Sequence, residues 1–132
     1  MTGLLAYCRQ GFEPELAAEL SERAAMLGFA GYARAQRNDG YVVFACDDGE
    51  ALDRTLSWHD LIFARQKLRL LGELRGINPK DRISPILDAL SGAGRFGDLW
   101  VEHPDSDASK PLAGLARSFA NALRPALRKA GF

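Results

Sequence analysis

The chain has 132 residues, of which 47% are hydrophobic and 26% charged, which suits one soluble compact domain, or one small domain with part of a second. No apolar run approaches the ~20 residues that a membrane span requires, and the first ten residues lack the basic leader of a signal peptide, so no membrane partner is expected. The net charge is zero, but residues 1–60 hold 10 acidic and 5 basic side chains, whereas residues 61–132 hold 7 and 12. Such a split marks a candidate binding face.

The first half of the chain shows alternating strand and helix patterns. Apolar residues recur at helical spacing between 13 and 27, and Asn38-Asp39-Gly40 joins two β-rich runs, because an Asp-Gly step supplies the positive φ angles of a tight hairpin. The predicted elements are, in order, a strand over 4–9, a helix over 13–27, strands over 32–37 and 41–46, a short helix through Leu52 and Leu56, and a strand over 62–71. This β-α-β-β-α-β order is the ferredoxin-like arrangement of an α+β fold.

Asn78-Pro79-Lys80 interrupts this pattern and is the best candidate for a domain boundary. We expect a ferredoxin-like domain over residues 1–76 and a second unit over 77–132. The second unit has one predicted strand between two helices, and an unpaired strand exposes its backbone groups. Either this strand joins the first sheet or the chain stops inside an incomplete domain, and we favour the second interpretation.

The second unit is expected to contain two helices and a strand. Ser84 is the expected N-cap of the first helix, with Pro85 at the first helical position. The expected strand covers Leu99–His103, and the expected second helix covers Pro111–Ala130 with one apolar face. Pro125 lies well inside that helix, so we expect a kink or a break there.

The two cysteines, Cys8 and Cys46, are too few for a disulfide framework and lack the spacing of metal ligands. Both fall in strand-like runs, so we expect buried, reduced thiols in a cytoplasmic protein. A ferredoxin-like sheet has the strand order 4-1-3-2, which predicts that the Cys8 strand lies beside the Cys46 strand.

The patterns that resemble catalytic or ligand motifs are weak. Residues 92–97 spell G-x-G-x-x-G, but this motif meets a phosphate or adenosylmethionine only where it follows a strand and opens a helix, and here that order is reversed. His59 and His103 are isolated, and Asp105 and Asp107 lack the further oxygen ligands of a calcium site. We therefore predict no catalytic, cofactor-binding or metal-binding residue in this chain.

Two groups of basic residues are the best candidates for an RNA-binding surface. The first alternates along a predicted strand, so its side chains should share one face of the sheet, and the second follows the side of the last helix opposite its apolar face. The residues are Arg65, Lys67 and Arg69, the strand set, and Arg117, Arg124 and Arg128, the helix set. Both sets would track phosphates through salt-sensitive contacts that do not depend on sequence. The alternative is that both are merely solvated surface.

The ferredoxin-like topology is shared with the RNA-recognition motif, which stacks bases on aromatic residues two apart on its third strand. Tyr41 and Phe44 are three apart, which places them on opposite faces of a strand. The sequence therefore does not predict a free-standing RNA-recognition motif.

Several ordered segments carry a family resemblance. The run from Cys8 to Glu13 resembles the opening of RNA-modifying enzymes that carry a ferredoxin-like domain before a THUMP domain. Later segments fall in the order seen in the ribosomal RNA large subunit methyltransferase M family: Asp39-Gly40-Tyr41-Val42, Leu61-Ile62-Phe63-Ala64-Arg65-Gln66, Gly72-Glu73-Leu74, Asp81-Arg82-Ile83-Ser84-Pro85-Ile86 and Leu127-Arg128-Lys129-Ala130-Gly131. The resemblance covers essentially the whole chain.

This resemblance implies that the full protein uses S-adenosylmethionine to methylate the 2'-O of a cytidine ribose in the peptidyl-transferase loop of 23S rRNA. It also implies that residues 77–132 begin a THUMP domain, and that the cofactor pocket and catalytic residues lie in a Rossmann-type domain C-terminal to residue 132. The expected partner is then 23S rRNA. The segment alone is expected to bind no cofactor and to have no activity.

A second hypothesis is a small ferredoxin-like regulatory or assembly domain that binds a metabolite or a protein. The charge split and the family resemblance favour RNA binding. The downstream reading frame would discriminate between the two, because an adenosylmethionine-binding strand, Gly-rich loop and helix would identify the methyltransferase. The sequence does not predict an oligomeric state.

Overall fold

The computed structural model describes residues 2–92, 96–107 and 109–131. The described chain is an α+β fold with one antiparallel four-stranded sheet. The strands are β1 (Gly3–Cys8), β2 (Gly31–Ala35), β3 (Tyr41–Cys46) and β4 (Ala64–Leu70), and the α-helices are α1 (Glu13–Met26), α2 (Gly49–Thr55), α3 (Ile83–Ala89) and α4 (Ala113–Lys129). No helix of these ranges is long and apolar enough to cross a membrane.

The chain divides into two compact units. The first contains Met1–Glu73 and Pro104–Lys110, and the second contains Leu74–His103 and Pro111–Phe132. The β-α-β-β-α-β order predicted for the first unit is confirmed. The strand order β2-β3-β1-β4 is the predicted order 4-1-3-2, counted from the other edge.

The core of the first unit lies between the helices and one face of the sheet. Leu4 pairs with Phe44 and Ala6 with Val42 across β1 and β3, and directly opposite residues of an antiparallel pair share a face. The helices add the fully buried residues Leu16, Leu20 and Leu52. Each buried leucine contributes about 1.5–3 kcal/mol relative to an exposed one, so this layer dominates the stability of the sheet.

The opposite face of the sheet is buried only at its centre, where Val43 and Ala45 point to it, whereas Tyr32 on the same face is 58% exposed. Tyr41 lies on this face opposite Tyr7 of β1, whereas Phe44 points into the core. The two aromatic residues of β3 therefore lie on opposite faces, as predicted, and do not form the pair that an RNA-recognition motif carries on its third strand.

The predicted hairpin between β2 and β3 is confirmed, but its turn differs in detail. The positive φ angles fall at Asn38 (70°) and Gly40 (79°) rather than at the Asp39-Gly40 pair. Asparagine tolerates the left-handed region better than most residues, and the buried carboxylate of Glu13 accepts the N–H groups of both Asn38 and Gly40. The Glu13 side chain, which is distant in sequence, thus stabilises this conformation of the turn.

The predicted adjacency of the two cysteine strands is confirmed, because β1 pairs directly with β3. The pairing is antiparallel, so Cys8 and Cys46 lie at opposite ends of this pair of central strands. Both thiols are buried and free.

Residues 104–110 pack onto the first unit at the β2–β3 turn. The Asp107 N–H donates to Gln10 Oε1 at 2.8 Å, and Ser106 is almost fully buried. A Cβ added to Gly40 would lie 3.1 Å from the Asp105 carbonyl oxygen. The turn therefore needs glycine both for its φ angle and for the close approach of this segment.

The second unit corrects two predictions. Residues 99–103 do not form a strand, because no strand of the described second unit offers them a ladder of hydrogen bonds. Of the predicted kink or break at Pro125, the break is wrong, since α4 continues through this residue to Lys129. Leu123 and Leu127 are buried on either side of Pro125, and their packing offsets the hydrogen bond that the proline cannot donate.

Helix α3 begins at Ile83, one residue earlier than the expected N-cap Ser84. The N-cap residue is Arg82, whose side chain makes no capping bond, and the side chain of the preceding Asp81 accepts the Ser84 N–H at 3.1 Å. Pro85 is tolerated at the third position because the N–H groups of the first turn have no partner within a helix.

Candidate nucleic-acid interface

The strand set lies on β4, an edge strand of the sheet. Lys67 pairs with Ala6 and Arg69 with Leu4 across β1, so both point to the face that the helices cover. The register shifts between Tyr7 and Cys8, and Arg65 is the extra residue of this irregularity. The predicted common face therefore holds for Lys67 and Arg69, but regular alternation does not extend to Arg65.

Lys67 is the most enclosed member of the strand set. Its side chain is 9% exposed and its Nζ lies 2.6 Å from Asp53 Oδ1. It also donates to the Asp53 carbonyl oxygen at 2.7 Å. Asp53 belongs to α2, so this ammonium group joins the edge strand to the helix above it.

Arg65 and Arg69 are more accessible, but each faces a carboxylate. Arg65 Nη1 lies 3.0 Å from Asp105 Oδ2 and its side chain is 56% exposed. Arg69 Nη1 lies 3.7 Å from Glu50 Oε1 and its side chain is 41% exposed. Exposed pairs of this kind contribute little to stability and exchange readily for other anions.

The helix set forms a stripe along α4. At 3.6 residues per turn, Arg117, Arg124 and Arg128 fall within about 40° of arc around the helix axis. All three are exposed, and in the part of the chain that the structure describes none of them is ion-paired. The sequence of α4 contains no Asp or Glu. The structure therefore presents three unneutralised guanidinium groups on one side of a helix whose other side is apolar.

Arg124 has a defined position on this stripe. Its Nη2 donates to the carbonyl oxygen of Leu99 at 3.0 Å. This bond uses one of the five N–H donors of a guanidinium group and leaves the rest available. Arg128 follows one helical turn later, about 6 Å along the axis. The last turns of α4 therefore carry two exposed arginines one helical turn apart, and a hydrogen bond holds the first of them in place.

Glu13 is a buried polar residue whose role the sequence did not reveal. Its carboxylate is 0% exposed and accepts N–H groups from Gly11, Asn38 and Gly40 at 2.8–3.1 Å. Burial raises the pKa of the Glu13 carboxyl, but the backbone N–H groups lower it by more, so it lies below its ordinary value of 4.5. Glu13 anchors the β2–β3 turn to the start of α1 and is not available as a catalytic acid.

Cys8 lies beside this carboxylate, with its Sγ 3.8 Å from Glu13 Oε2. Burial, together with the charge of Glu13 and the hydrogen bond to it, raises the pKa of the Cys8 thiol to about 11. A thiol with such a pKa is protonated at neutral pH and is a poor nucleophile.

Helix α1 borders an acidic groove of about 580 Å³. Glu15 and Glu22 line it together with Met26 and Ile62, which are largely exposed apolar side chains. Glu19 accepts the N–H groups of residues 62 and 63, and these bonds hold the segment before β4 against α1 at one side of the groove. Three carboxylates and one arginine, Arg23, line the groove, and this net negative charge would repel a phosphate backbone.

The structure adds no support for the G-x-G-x-x-G motif as a ligand site or for a metal site. Ala93, Gly94 and Arg95 of the G-x-G-x-x-G motif lie outside the described residues. Helix α3 precedes the motif, which is the reversed order seen in the sequence. Among the ranges that the structure describes, no group of three or more His, Cys, Asp or Glu residues is arranged to hold a metal ion.

Two family profiles match the chain. The profile described as "RlmM ferredoxin-like domain" matches residues 1–68, and the profile described as "Ribosomal RNA large subunit methyltransferase M, N-terminal" matches residues 81–132. The first alone covers more than half of the chain and coincides with the four-stranded sheet described above.

Curated relatives agree with these profiles. The proteins named ribosomal RNA large subunit methyltransferase M from Xanthomonas campestris pv. campestris (strain B100) and Xanthomonas oryzae pv. oryzae (strain KACC10331 / KXO85) are each 76% identical over 131 residues. The protein of the same name from Xanthomonas axonopodis pv. citri (strain 306) is 75% identical. Each match covers 99% of this chain and 38% of the relative, so the chain spans less than half the length of these proteins. The chain therefore belongs to the ribosomal RNA large subunit methyltransferase M family and carries the ferredoxin-like domain of that family.

Proposed function

We propose that this chain is the RNA-docking part of a cytoplasmic, S-adenosylmethionine-dependent methyltransferase that modifies the 2'-O of a cytidine ribose in 23S rRNA. The observation that carries the proposal is the identity of 76% across 99% of the chain to proteins named as ribosomal RNA methyltransferases. The cofactor would supply the methyl group in a domain outside these 132 residues. The residues described here would bind and orient the RNA substrate.

The helix set is the main RNA contact in this proposal. Its three arginines are exposed and share one stripe, and no acidic residue of α4 competes with RNA for them. Phosphate contacts of this kind fix the position of a nucleic acid without reading its sequence. Such docking lowers the entropic cost of bringing one ribose to a separate active site.

We assign the strand set a smaller and divided role. Arg65 and Arg69 are accessible, and RNA phosphates could replace their exposed carboxylate partners. Lys67 is enclosed and held by Asp53, so we propose that it stabilises the contact between β4 and α2. The residues 77–132, proposed as the beginning of a THUMP domain, would then provide most of the RNA-binding charge.

The test measures binding of 23S rRNA, or a domain fragment of it, to the full-length enzyme over a salt series. Each phosphate contact adds about 0.7–0.9 to the slope of log affinity against log salt concentration, so charge reversal of Arg117, Arg124 and Arg128 together should flatten the slope by about 2–3 and weaken binding. Reversal of Arg65 and Arg69 should have a smaller effect of the same kind. Cofactor affinity should stay unchanged.

Arg37→Glu provides a matched control, because Arg37 is an exposed arginine of the first unit that belongs to neither the helix set nor the strand set. It should change neither the slope nor the affinity. If the helix and strand variants both bind RNA like the unmodified enzyme at every salt concentration, the basic residues are solvated surface and the proposed docking surface is wrong.

The alternative function, a module that binds a metabolite or a protein, is supported by the acidic groove beside α1. Its carboxylates and exposed apolar side chains would suit a basic, apolar protein segment. This alternative would be favoured if no basic-residue variant changed RNA binding, while a basic, apolar peptide bound to the enzyme and Ile62→Asp abolished that binding.

A further inference from the structure

A small cleft in the second unit lies between residues 96–99 and the last turns of α4. Its volume is about 130 Å³, well below the roughly 300–1,000 Å³ of pockets that enclose drug-sized ligands. Apolar side chains line one part of it and ionised groups the other: Phe96, Leu99 and Leu127, with Asp98, Arg124 and Arg128. A cleft of this size accommodates one ring or one small polar group, and not a whole cofactor.

The two arginines are suited to a phosphate at the rim of the cleft. The Arg124 guanidinium is held by its bond to the Leu99 carbonyl oxygen, so its remaining donors have a defined direction. Arg128 is exposed one turn later, at the spacing of about 5–6 Å that separates neighbours on a helix face. Both arginines line the cleft, and a guanidinium group binds phosphate through several N–H donors.

The apolar part of the cleft is suited to binding a nucleotide base. Phe96 is 42% exposed, and an accessible aromatic ring stacks on the π-face of an unpaired base. Asp98 has its Oδ1 bound to the Leu99 N–H at 2.7 Å, which fixes the carboxylate at the cleft. A carboxylate repels phosphate but accepts a hydrogen bond from the exocyclic amino group of a base.

We propose that this cleft binds one unpaired nucleotide of RNA, with its phosphate on Arg124 and Arg128 and its base against Phe96. The inference rests on the proposed RNA-docking function and adds the kind of RNA that is recognised, namely a single-stranded or bulged nucleotide instead of a continuous duplex. The bases of a duplex remain stacked and paired and cannot enter a cleft, whereas a splayed nucleotide can. Asp98 further favours cytosine, adenine or guanine over uracil.

The experiment compares binding of the full-length enzyme to a single-stranded oligoribonucleotide and to a duplex of the same phosphate number, by fluorescence anisotropy. Stacking on one base contributes about 1–3 kcal/mol, so Phe96→Leu should weaken single-strand binding by roughly 5- to 150-fold and leave duplex binding and the salt slope unchanged. Arg128→Gln should weaken single-strand binding and lower its salt slope by about 0.7. Arg117→Gln, on the same stripe but not lining the cleft, should weaken both RNAs equally.

Asp98→Ala provides a second, independent variant at an exposed residue whose loss should not unfold the chain. It should reduce the preference for oligocytidine over oligouridine without changing binding to the duplex. If Phe96→Leu and Asp98→Ala bind every RNA like the unmodified enzyme, the cleft does not hold a nucleotide, although RNA docking stands. If the unmodified enzyme binds neither RNA, the proposed function itself is wrong.

Discussion

Glu13 is the residue that most tightly connects distant parts of the first unit. Its buried carboxylate accepts the N–H groups of Asn38 and Gly40 at 2.8 and 2.9 Å, and these donors lie more than twenty residues away. In Glu13→Gln, the amide NH₂ would face N–H donors and leave some of them without an acceptor. A buried unsatisfied donor costs about 1–3 kcal/mol, so we expect the free energy of unfolding at pH 7 to fall by this amount in urea denaturation. Glu15→Gln, an exposed neighbour on α1, should change it by less than about 0.5 kcal/mol.

The same carboxylate should make stability depend on pH. The pKa of Glu13 is lower in the folded chain than its ordinary value of 4.5, so the ionised form stabilises the fold above that pH and is lost as the pH falls through the folded pKa. The difference in unfolding free energy between the unmodified chain and Glu13→Gln should therefore be constant above about pH 5.5 and shrink below about 4.5. Urea denaturation over a pH series measures this difference, and growth of the difference on acidification would contradict the assignment.

The role of Glu13 could be predicted only in part. An acidic residue beside Pro14 at a helix start is expected from the helix dipole. Spacing along the chain says nothing about a turn that the fold brings to the same carboxylate. Buried polar contacts between distant residues depend on tertiary packing, which a single sequence does not reveal.

The strand β4 shows what an alternating pattern can and cannot predict. Alternation predicts that Lys67 and Arg69 share a face, and they do. It does not predict which face is covered, nor the irregularity that includes Arg65. Basic residues under a helix meet the carboxylates of that helix, so two of the three expected RNA contacts lie beside Asp53 and Glu50 of α2.

Lys67 should therefore behave as a structural residue. Lys67→Met keeps the aliphatic stem but leaves Asp53 without its ammonium partner, and removing one member of an enclosed pair is costly because the other stays desolvated. Since Asp53 is partly exposed, we expect a loss of about 1–3 kcal/mol in unfolding free energy. Arg69→Met removes only a loose, exposed pair and should cost less than about 1 kcal/mol. Thermal and urea denaturation measure both variants. If Lys67→Met and Arg69→Met lowered the unfolding free energy equally, the enclosure of the Lys67 side chain would not make it more important for stability than Arg69.

The fold of the whole molecule could be predicted where local patterns repeat. Turn residues and alternating elements gave the correct element order and strand order of the first unit. The second unit was less predictable, because residues 99–103 have a β-rich composition but no strand partner among the residues that the structure describes. Strand formation depends on a neighbouring ladder, which composition alone does not supply.

The described chain should not bind S-adenosylmethionine by itself. The G-x-G-x-x-G residues follow α3 and do not follow a strand, so they do not have the strand–loop–helix context in which backbone N–H groups meet such a ligand. Calorimetric titration of the 132-residue chain with the cofactor should give no binding heat, and methyl transfer to rRNA should be absent. Micromolar binding would show that this loop is a ligand site.

The path of the backbone limits how this molecule can be divided. Residues Pro104–Lys110 belong to the first unit although they lie well beyond its main body in sequence, and they bring Asp105 to Arg65 and Asp107 to Gln10. A chain shortened at residue 76 would uncover the β2–β3 turn. The smallest fragment that keeps the sheet in its native surroundings must extend to residue 110, and therefore carries much of the second unit with it. Dissection experiments that assign RNA affinity to one half or the other have to use point substitutions, because no single cut separates the two units cleanly.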